Sequence, residues 1–209
     1  MGKDKGLESK TKLLQAALGV IRAKGYTATR VEDVCEAAGL TKGSFFHHFK
    51  TKEELAVEAA NYWSQTTDIF FAQAPYHKIE DPLQRVLAYV DFRKAILRGN
   101  IPEFTCLVGT MVQEVYDTVP AIRAACDRSI SGHAAAVAKD IAEAKNRYAP
   151  DAAWDAGGLA LYTQAVIQGS FILAKAKHGP EIAAECLDHL KRYIEMLFAE
   201  QGKKTVRVA

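Results

Sequence analysis

The sequence predicts an all-α chain, and three observations predict it. Apolar residues recur at three- and four-residue spacing through most of the 209 residues. Strict apolar–polar alternation never lasts more than a few positions, so no strand is expected. Glycines, prolines and short polar clusters interrupt the periodic stretches at intervals suited to helices, which divides the chain into about nine of them.

The elements follow in order. Residues 1–8 read as a polar, lysine-bearing arm. A first helix is predicted over 9–24, with Leu13, Ala16, Ala17, Val20 and Ile21 on one face and Gly25 ending it. Two short helices follow within 26–49. A fourth helix starts near Thr51, where Thr51 and Glu54 have capping-box spacing, and carries Leu55, Ala59, Tyr62, Trp63, Ile69 and Phe70 at helical intervals. QAPYHKIED, residues 73–81, is a loop. The next helix opens with Pro82 and turns Leu83, Val86, Leu87, Val90 and Leu97 inward until Gly99-Asn100. Residues 102–117 have the cleanest stripe, Phe104, Leu107, Val108, Met111, Val112 and Val115, and read as one continuous helix. A long helix spans 120–148, with Gly132 marking a bend. The last two span 151–178, rich in small residues, and 181–199, separated by Gly179-Pro180. The tail 201–209 reads as unstructured.

Composition narrows the class. Apolar residues make up 49% of the chain, yet no uninterrupted apolar run is long enough to span a bilayer, so no membrane partner is expected. The start, MGKDKGLESK, has no apolar segment of the secretory kind, and Gly6 stands where a myristoylation signal needs Ser or Thr. A cytoplasmic protein is expected. Cys35, Cys106, Cys126 and Cys186 show neither C-x-x-C spacing nor a histidine at metal-ligand distance, which fits reduced thiols and predicts no metal and no cofactor. Net charge is only +2, but residues 1–52 hold 10 Lys/Arg against 5 Asp/Glu while the rest of the chain is mildly acidic. A basic head suits phosphate.

The chain is organised around residues 26–55, YTATRVEDVCEAAGLTKGSFFHHFKTKEEL. Val31, Val34, Ala37 and Ala38 stripe a short helix. Gly39 ends it, because glycine takes the left-handed conformation without a Cβ penalty. Leu40 plugs the corner and Thr41 caps the next helix. That helix, about Lys42–His48, directs Phe45 and Phe49 inward and presents small, basic and hydrogen-bonding side chains outward. A helix with such a face fits a major groove. The pattern is a helix-turn-helix over about 30–49.

GLTKGSFFHHFKTKEEL resembles the recognition-helix signature of the TetR family of bacterial transcriptional regulators, and the resemblance is dense over about 13–55. It implies a three-helix DNA-binding head, 8–52, on a larger helical ligand-sensing and dimerisation body, 53–200. It also implies a repressor that binds a palindromic double-stranded DNA operator as a homodimer through its last two helices (151–178 and 181–199), and that a small-molecule effector releases. The expected DNA contacts are Thr29, Arg30, Thr41, Lys42, Gly43, Ser44, Phe46, His47 and Lys52. The family usually has tyrosine where Phe46 stands, so a hydroxyl contact to phosphate is missing there. His47-His48 is not a metal site, since adjacent helical residues point about 100° apart.

The effector side is thinner. Trp63, Tyr89, Phe92, Phe104, Cys106, Met111, Tyr116 and Tyr162 are candidate pocket residues, and most of the aromatics fit a core equally well. On a continuous helix over 102–117, Cys106 lies opposite the apolar stripe, facing solvent, a polar pocket or a second layer. TCLVGTMVQEV resembles a segment in a TetR branch that includes sensors of electrophiles and oxidants, so release by covalent modification of Cys106 is an alternative. An enzyme or a plain scaffold is a remote alternative. No G-x-S-x-G, H-E-x-x-H, P-loop or G-x-G-x-x-G is present, and no base is placed by sequence for Cys106.

Overall fold

The computed structural model describes the backbone of residues 2–205 and the side-chain surroundings of 6–199. Among the described residues the secondary structure is entirely helical. The helices are α1 (Gly2–Lys24), α2 (Val31–Ala38), α3 (Lys42–His48), α4 (Lys52–Ala72), α5 (Pro82–Ala95), α6 (Ile101–Phe104), α7 (Leu107–Val115), α8 (Pro120–Tyr148), α9 (Ala156–Lys177) and α10 (Glu181–Thr205), with a single 3-10 turn at Pro75–Lys78.

Four expectations change. The arm is not an arm, because residues 2–8 already belong to α1. Residues 201–205 of the expected tail continue α10, and 206–209 lie outside the described residues. Gly132 does not interrupt α8. The predicted helix over 102–117 is broken at Thr105-Cys106, and the break has a local cause. Cys106 is extended (φ −84°, ψ 127°) and caps α7, its Sγ accepting from the Gly109 N–H at 3.4 Å. The single apolar stripe read from the sequence is therefore two, Phe104 on α6 and Leu107, Met111 and Val115 on α7.

The chain packs as two compact units. The first comprises Met1–Ile69 and Thr105–Ile130, the second Phe70–Phe104 and Ser131–Ala209. The core of the first joins Leu13, Ala17 and Ile21 of α1, Val34 of α2, Phe45 and Phe49 at α3, and Leu55 and Ala59 of α4. Leu107 and Met111 of α7 and Ile122 of α8 are in the same core, each with no exposed surface. Apolar side chains of α7 and the start of α8 thus share one core with those of residues 8–52.

In the second unit, Arg85 ties α5 to α8 through Asp140 (2.8 Å) and Glu143 and donates to the Ile79 carbonyl at 3.0 Å. Lys94–Asp188 and Lys191–Asp91 link α5 to α10, each as close as 2.7 Å, though exposed pairs of this kind contribute at most about 1 kcal/mol each. The α9–α10 pair closes at one end with Trp154 edge-on to Phe198, centroids 5.2 Å apart. By length and composition, with a mean hydropathy of 1.2 over its most apolar window, α9 is capable of crossing a bilayer. It buries Thr163, Gln164 and Ser170 on one side and exposes Leu161, Tyr162, Ile172 and Leu173 on the other. That is one unpartnered stripe, not an apolar cylinder.

Candidate functional site

The turn between α2 and α3 is built as its sequence requires. Gly39 stands at φ 63°, and the N–H groups of Gly39 and Leu40 return to Glu36 (3.1 Å) and Cys35 (2.9 Å). Thr41 caps α3, its hydroxyl accepting from Ser44 N–H at 3.2 Å. Phe45 and Phe49, one turn apart, are buried to 0% and 1% exposure. Each anchors the helix with roughly 1.5–3 kcal/mol of apolar burial. The opposite side is left to solvent. Thr41, Lys42, Gly43, Phe46 (57% exposed) and His47 share it, with Ser44 half-buried beside them. Lys42 pairs with Glu32 of α2. A Cβ on Gly43 would meet only the Thr41 hydroxyl, at an ordinary 3.6 Å, so nothing inside the chain requires glycine there. The half-buried ring of His48 is held by Ser9 of α1 at 2.7 Å, and burial lowers its pKa, with His47 and Lys10 adding to the effect.

Two of the residues expected on DNA, Thr29 and Lys52, have their polar groups engaged elsewhere, and the backbone beside a third, Arg30, is engaged too. Thr29 is 1% exposed and its hydroxyl donates to the Gly25 carbonyl at 2.6 Å. The N-terminus of α2 already holds an anion, because Asp33 accepts the Arg30 N–H at 2.7 Å and pairs with Lys24 at 2.7 Å. Lys24 and that N–H keep the Asp33 carboxyl well below the usual carboxylate range. Arg30 itself stays exposed. Lys52 donates to the carbonyls of Tyr26 (3.1 Å), Thr27 (3.3 Å) and Thr29 (3.0 Å) and lies 4.4 Å over the Tyr26 ring. An ammonium has three donors, and all three are used.

The same turn is held from its other side by a residue that local sequence does not reveal. Glu114 of α7 accepts the N–H of Tyr26 at 3.0 Å and of Thr27 at 2.8 Å. Gly25 stands at φ 85°, and a Cβ on it would collide with the Glu114 carboxylate. Residues 25–29 are thus clamped, N–H groups by Glu114 and carbonyls by Lys52.

A helix ending in a left-handed glycine, a capped second helix and an outward polar face make a helix-turn-helix. Residues 13–59 match the family model for bacterial regulatory proteins of the tetR family, and residues 82–190 match that for the tetracyclin repressor-like C-terminal domain. The chain belongs to the TetR family. Among curated relatives, the HTH-type transcriptional regulator CymR of Pseudomonas putida is 40% identical over 79 residues, which is 37% of this chain and 39% of that protein. The match thus spans about two fifths of that relative's length. Among solved structures, a TetR transcriptional regulator from Chloroflexus aurantiacus superposes with a TM-score of 0.78 at 24% identity, over 92% of this chain and 96% of that one. A cysteine mutant of the TetR-family regulator CifR, complexed with operator DNA, superposes with a TM-score of 0.74 at 18% identity, over 87% and 94%. Both likenesses speak to fold. The chain carries the helix-turn-helix of a family of bacterial regulatory proteins.

The candidate effector residues of this TetR-family chain are divided between the two compact units. Trp63, Cys106, Met111 and Tyr116 belong to the first unit, and Tyr89, Phe92, Phe104 and Tyr162 to the second. Met111 is core, Trp63 stacks under Arg22 (5.1 Å), and Tyr116 is 61% exposed. Tyr162 pairs with Tyr193 of α10 at 5.1 Å on the surface, and Phe104 lies 6.3 Å from Phe171. Cys106 is half-buried against the core of the first unit, so it does not stand opposite an apolar stripe. Burial pushes the Cys126 thiol up to about 12, with Cys106 adding to the shift. A groove of about 390 Å³ opens between α1 and α2, lined by Val20, Ala23, Lys24, Asp33, Glu36 and Ala37, and includes none of the eight.

Tyr89 and Phe92 do converge, in a cluster the sequence reading missed. Tyr89 is 2% exposed; its hydroxyl meets His133 Nε2 at 2.9 Å and accepts from Gln164 Nε2 at 3.3 Å. Phe71, Tyr76 and Phe92 pack around it, and Phe71 lies 4.7 Å from the His133 ring. Burial, helped by the charge of Arg93, lowers the His133 pKa to about 4, so the ring is neutral at pH 7. Two signs were in the sequence: a lone histidine in an alanine-rich stretch, and Thr163-Gln164 inside the most apolar helix.

Proposed function

We propose that this chain is a repressor that binds a palindromic operator as a homodimer and that a small molecule releases. The observation that carries this reading is the exposed face of α3, where a Cβ on Gly43 would meet only the Thr41 hydroxyl and where Lys42 and His47 face solvent. Dimerisation is supported by the apolar stripe of α9, Leu161 (55% exposed), Tyr162, Ile172 and Leu173, continued on α10 by Tyr193 and Met196 (61% exposed). A stripe that meets its own copy makes an isologous interface and sets two α3 helices for half-sites about 34–36 Å apart. Release is supported by α4, the helix that carries Lys52 of the turn clamp near its start and Phe71 of the aromatic cluster near its end. A ligand that favours the released form by about 1–3 kcal/mol is enough.

The test is fluorescence anisotropy of a labelled fragment from upstream of the chain's own gene. Affinity should fall by orders of magnitude between about 50 and 200 mM salt. Lys42→Ala and His47→Ala should weaken binding and blur preference between related sequences by about 1–3 kcal/mol. A monomer in gel filtration with no preference for any promoter fragment would sink the reading.

A further inference from the structure

We propose that the cluster around Arg93 is the effector site, and that it takes the carboxylate of a small, flat, apolar acid. This rests on the reading of an effector-released regulator. Helix α5 has three basic residues. Arg85 is held by Asp140 and Glu143, and Lys94 by Asp188. Arg93 forms no ion pair among the described residues; its guanidinium sits 5.1 Å from the Phe71 ring and 5.8 Å from that of Phe171. Ring faces attract a cation but accept none of its five N–H donors in the plane of the fork.

The groups beside it are neutral. Tyr89 lies one turn earlier on α5, bonded to His133 and Gln164, and Asp140, the carboxylate whose charge reaches Tyr76, is already held by Arg85. A half-buried charge without a counter-ion is costly, and an arriving carboxylate offsets that cost with a two-pronged contact to the guanidinium. A single cation matches a monoanion. A phosphate dianion would carry one uncompensated charge into apolar walls. Phe71, Phe92 and Phe171 supply flat surfaces for an aromatic or conjugated body. Phe70, 48% exposed and 5.5 Å from Phe92, borders this cluster on its solvent side.

The experiment uses the full chain, with benzoate, cinnamate and 2-naphthoate as probes and the corresponding amides as neutral controls. Binding is read by calorimetric titration and thermal denaturation on wild type, Arg93→Gln and Arg93→Lys. At least one acid should bind and raise Tm, with its amide at least about tenfold weaker. Arg93→Gln should lose about tenfold or more, and Arg93→Lys, which keeps the charge without the fork, should lose less. If Arg93→Gln does not fold, the acid–amide pair on wild type and the Arg93→Lys variant decide. Acid and amide binding alike, undiminished binding to Arg93→Gln, or no binding by any of the three acids overturns the proposal. The same acids are then added to the complex with the promoter fragment. Binding without release leaves the anion site standing and removes its role as effector site. A protein that never holds the fragment refutes the repressor reading, while the titrations still judge the site.

Discussion

The turn at 25–29 and the outer face of α3 are both polar and both lie in the first compact unit, but their polar groups have opposite fates. In the turn, the N–H groups of Tyr26 and Thr27, the carbonyls of Tyr26, Thr27 and Thr29 and the Thr29 hydroxyl all have partners within the chain. On α3, Gly43, Phe46 and His47 face solvent, and Lys42 alone among the long side chains pairs within the chain. A lysine in a basic head is therefore not a DNA contact by address. What decides is whether all of its donors are already engaged, as on Lys52, or only one, as on Lys42.

The largest expected effect comes from Gly25→Ala. The left-handed backbone and the collision with Glu114 act together, so stability should fall by about 3 kcal/mol or more in urea denaturation. A loss near zero would mean the clamp is not rigid. His133 extends the comparison to buried polar groups of the second unit. Its folded pKa is about 4 against 6.5 unfolded, so the unfolded chain takes up the proton first. Stability is complete above pH 6.5, declines as pH falls, and levels off below about 4, with a total loss of up to about 3 kcal/mol. His133→Gln should flatten that part of the pH profile; an unchanged profile would place the titration elsewhere.

Lys52→Met separates the two regions directly. As a clamp residue, Lys52 should cost about 1–3 kcal/mol of stability when lost, with an unchanged salt slope for DNA binding. As a phosphate contact it would lower that slope by about one and leave stability alone. The smallest effect on folding is expected from Gly43→Ala, neutral or stabilising by up to about 1 kcal/mol, because alanine is the better helix former. Its DNA affinity should nevertheless drop about tenfold from the lost close approach.

What was legible in the sequence is what is local. Gly39, Thr41 and the Phe45–Phe49 spacing act within a turn or two, so the helix-turn-helix could be read directly. The clamp could not, since Lys52 reaches carbonyls 23–26 residues away and Glu114 reaches amides 87–88 residues away. Thr29 was expected on DNA from its place just before α2, and its burial depends on packing that no local pattern encodes. The break at Cys106 was hidden because apolar spacing continues across it; a cap made by a thiol leaves no periodic trace. The aromatic residues of the body were visible individually, but their grouping depends on which helices pack together.

The outward face of α3 also bears on inheritance. Thr41 aside, which caps the helix, and Phe46 aside, whose ring packs edge-on against buried Phe45, a substitution at Gly43 or His47 leaves Phe45 and Phe49 in place. Operator preference can drift through such positions with almost no folding penalty to be purged, so duplicated copies of this gene are free to part company in the sites they read. The turn at 25–29 has no such freedom, and descendants that keep the clamp must keep Gly25, Lys52 and Glu114 together.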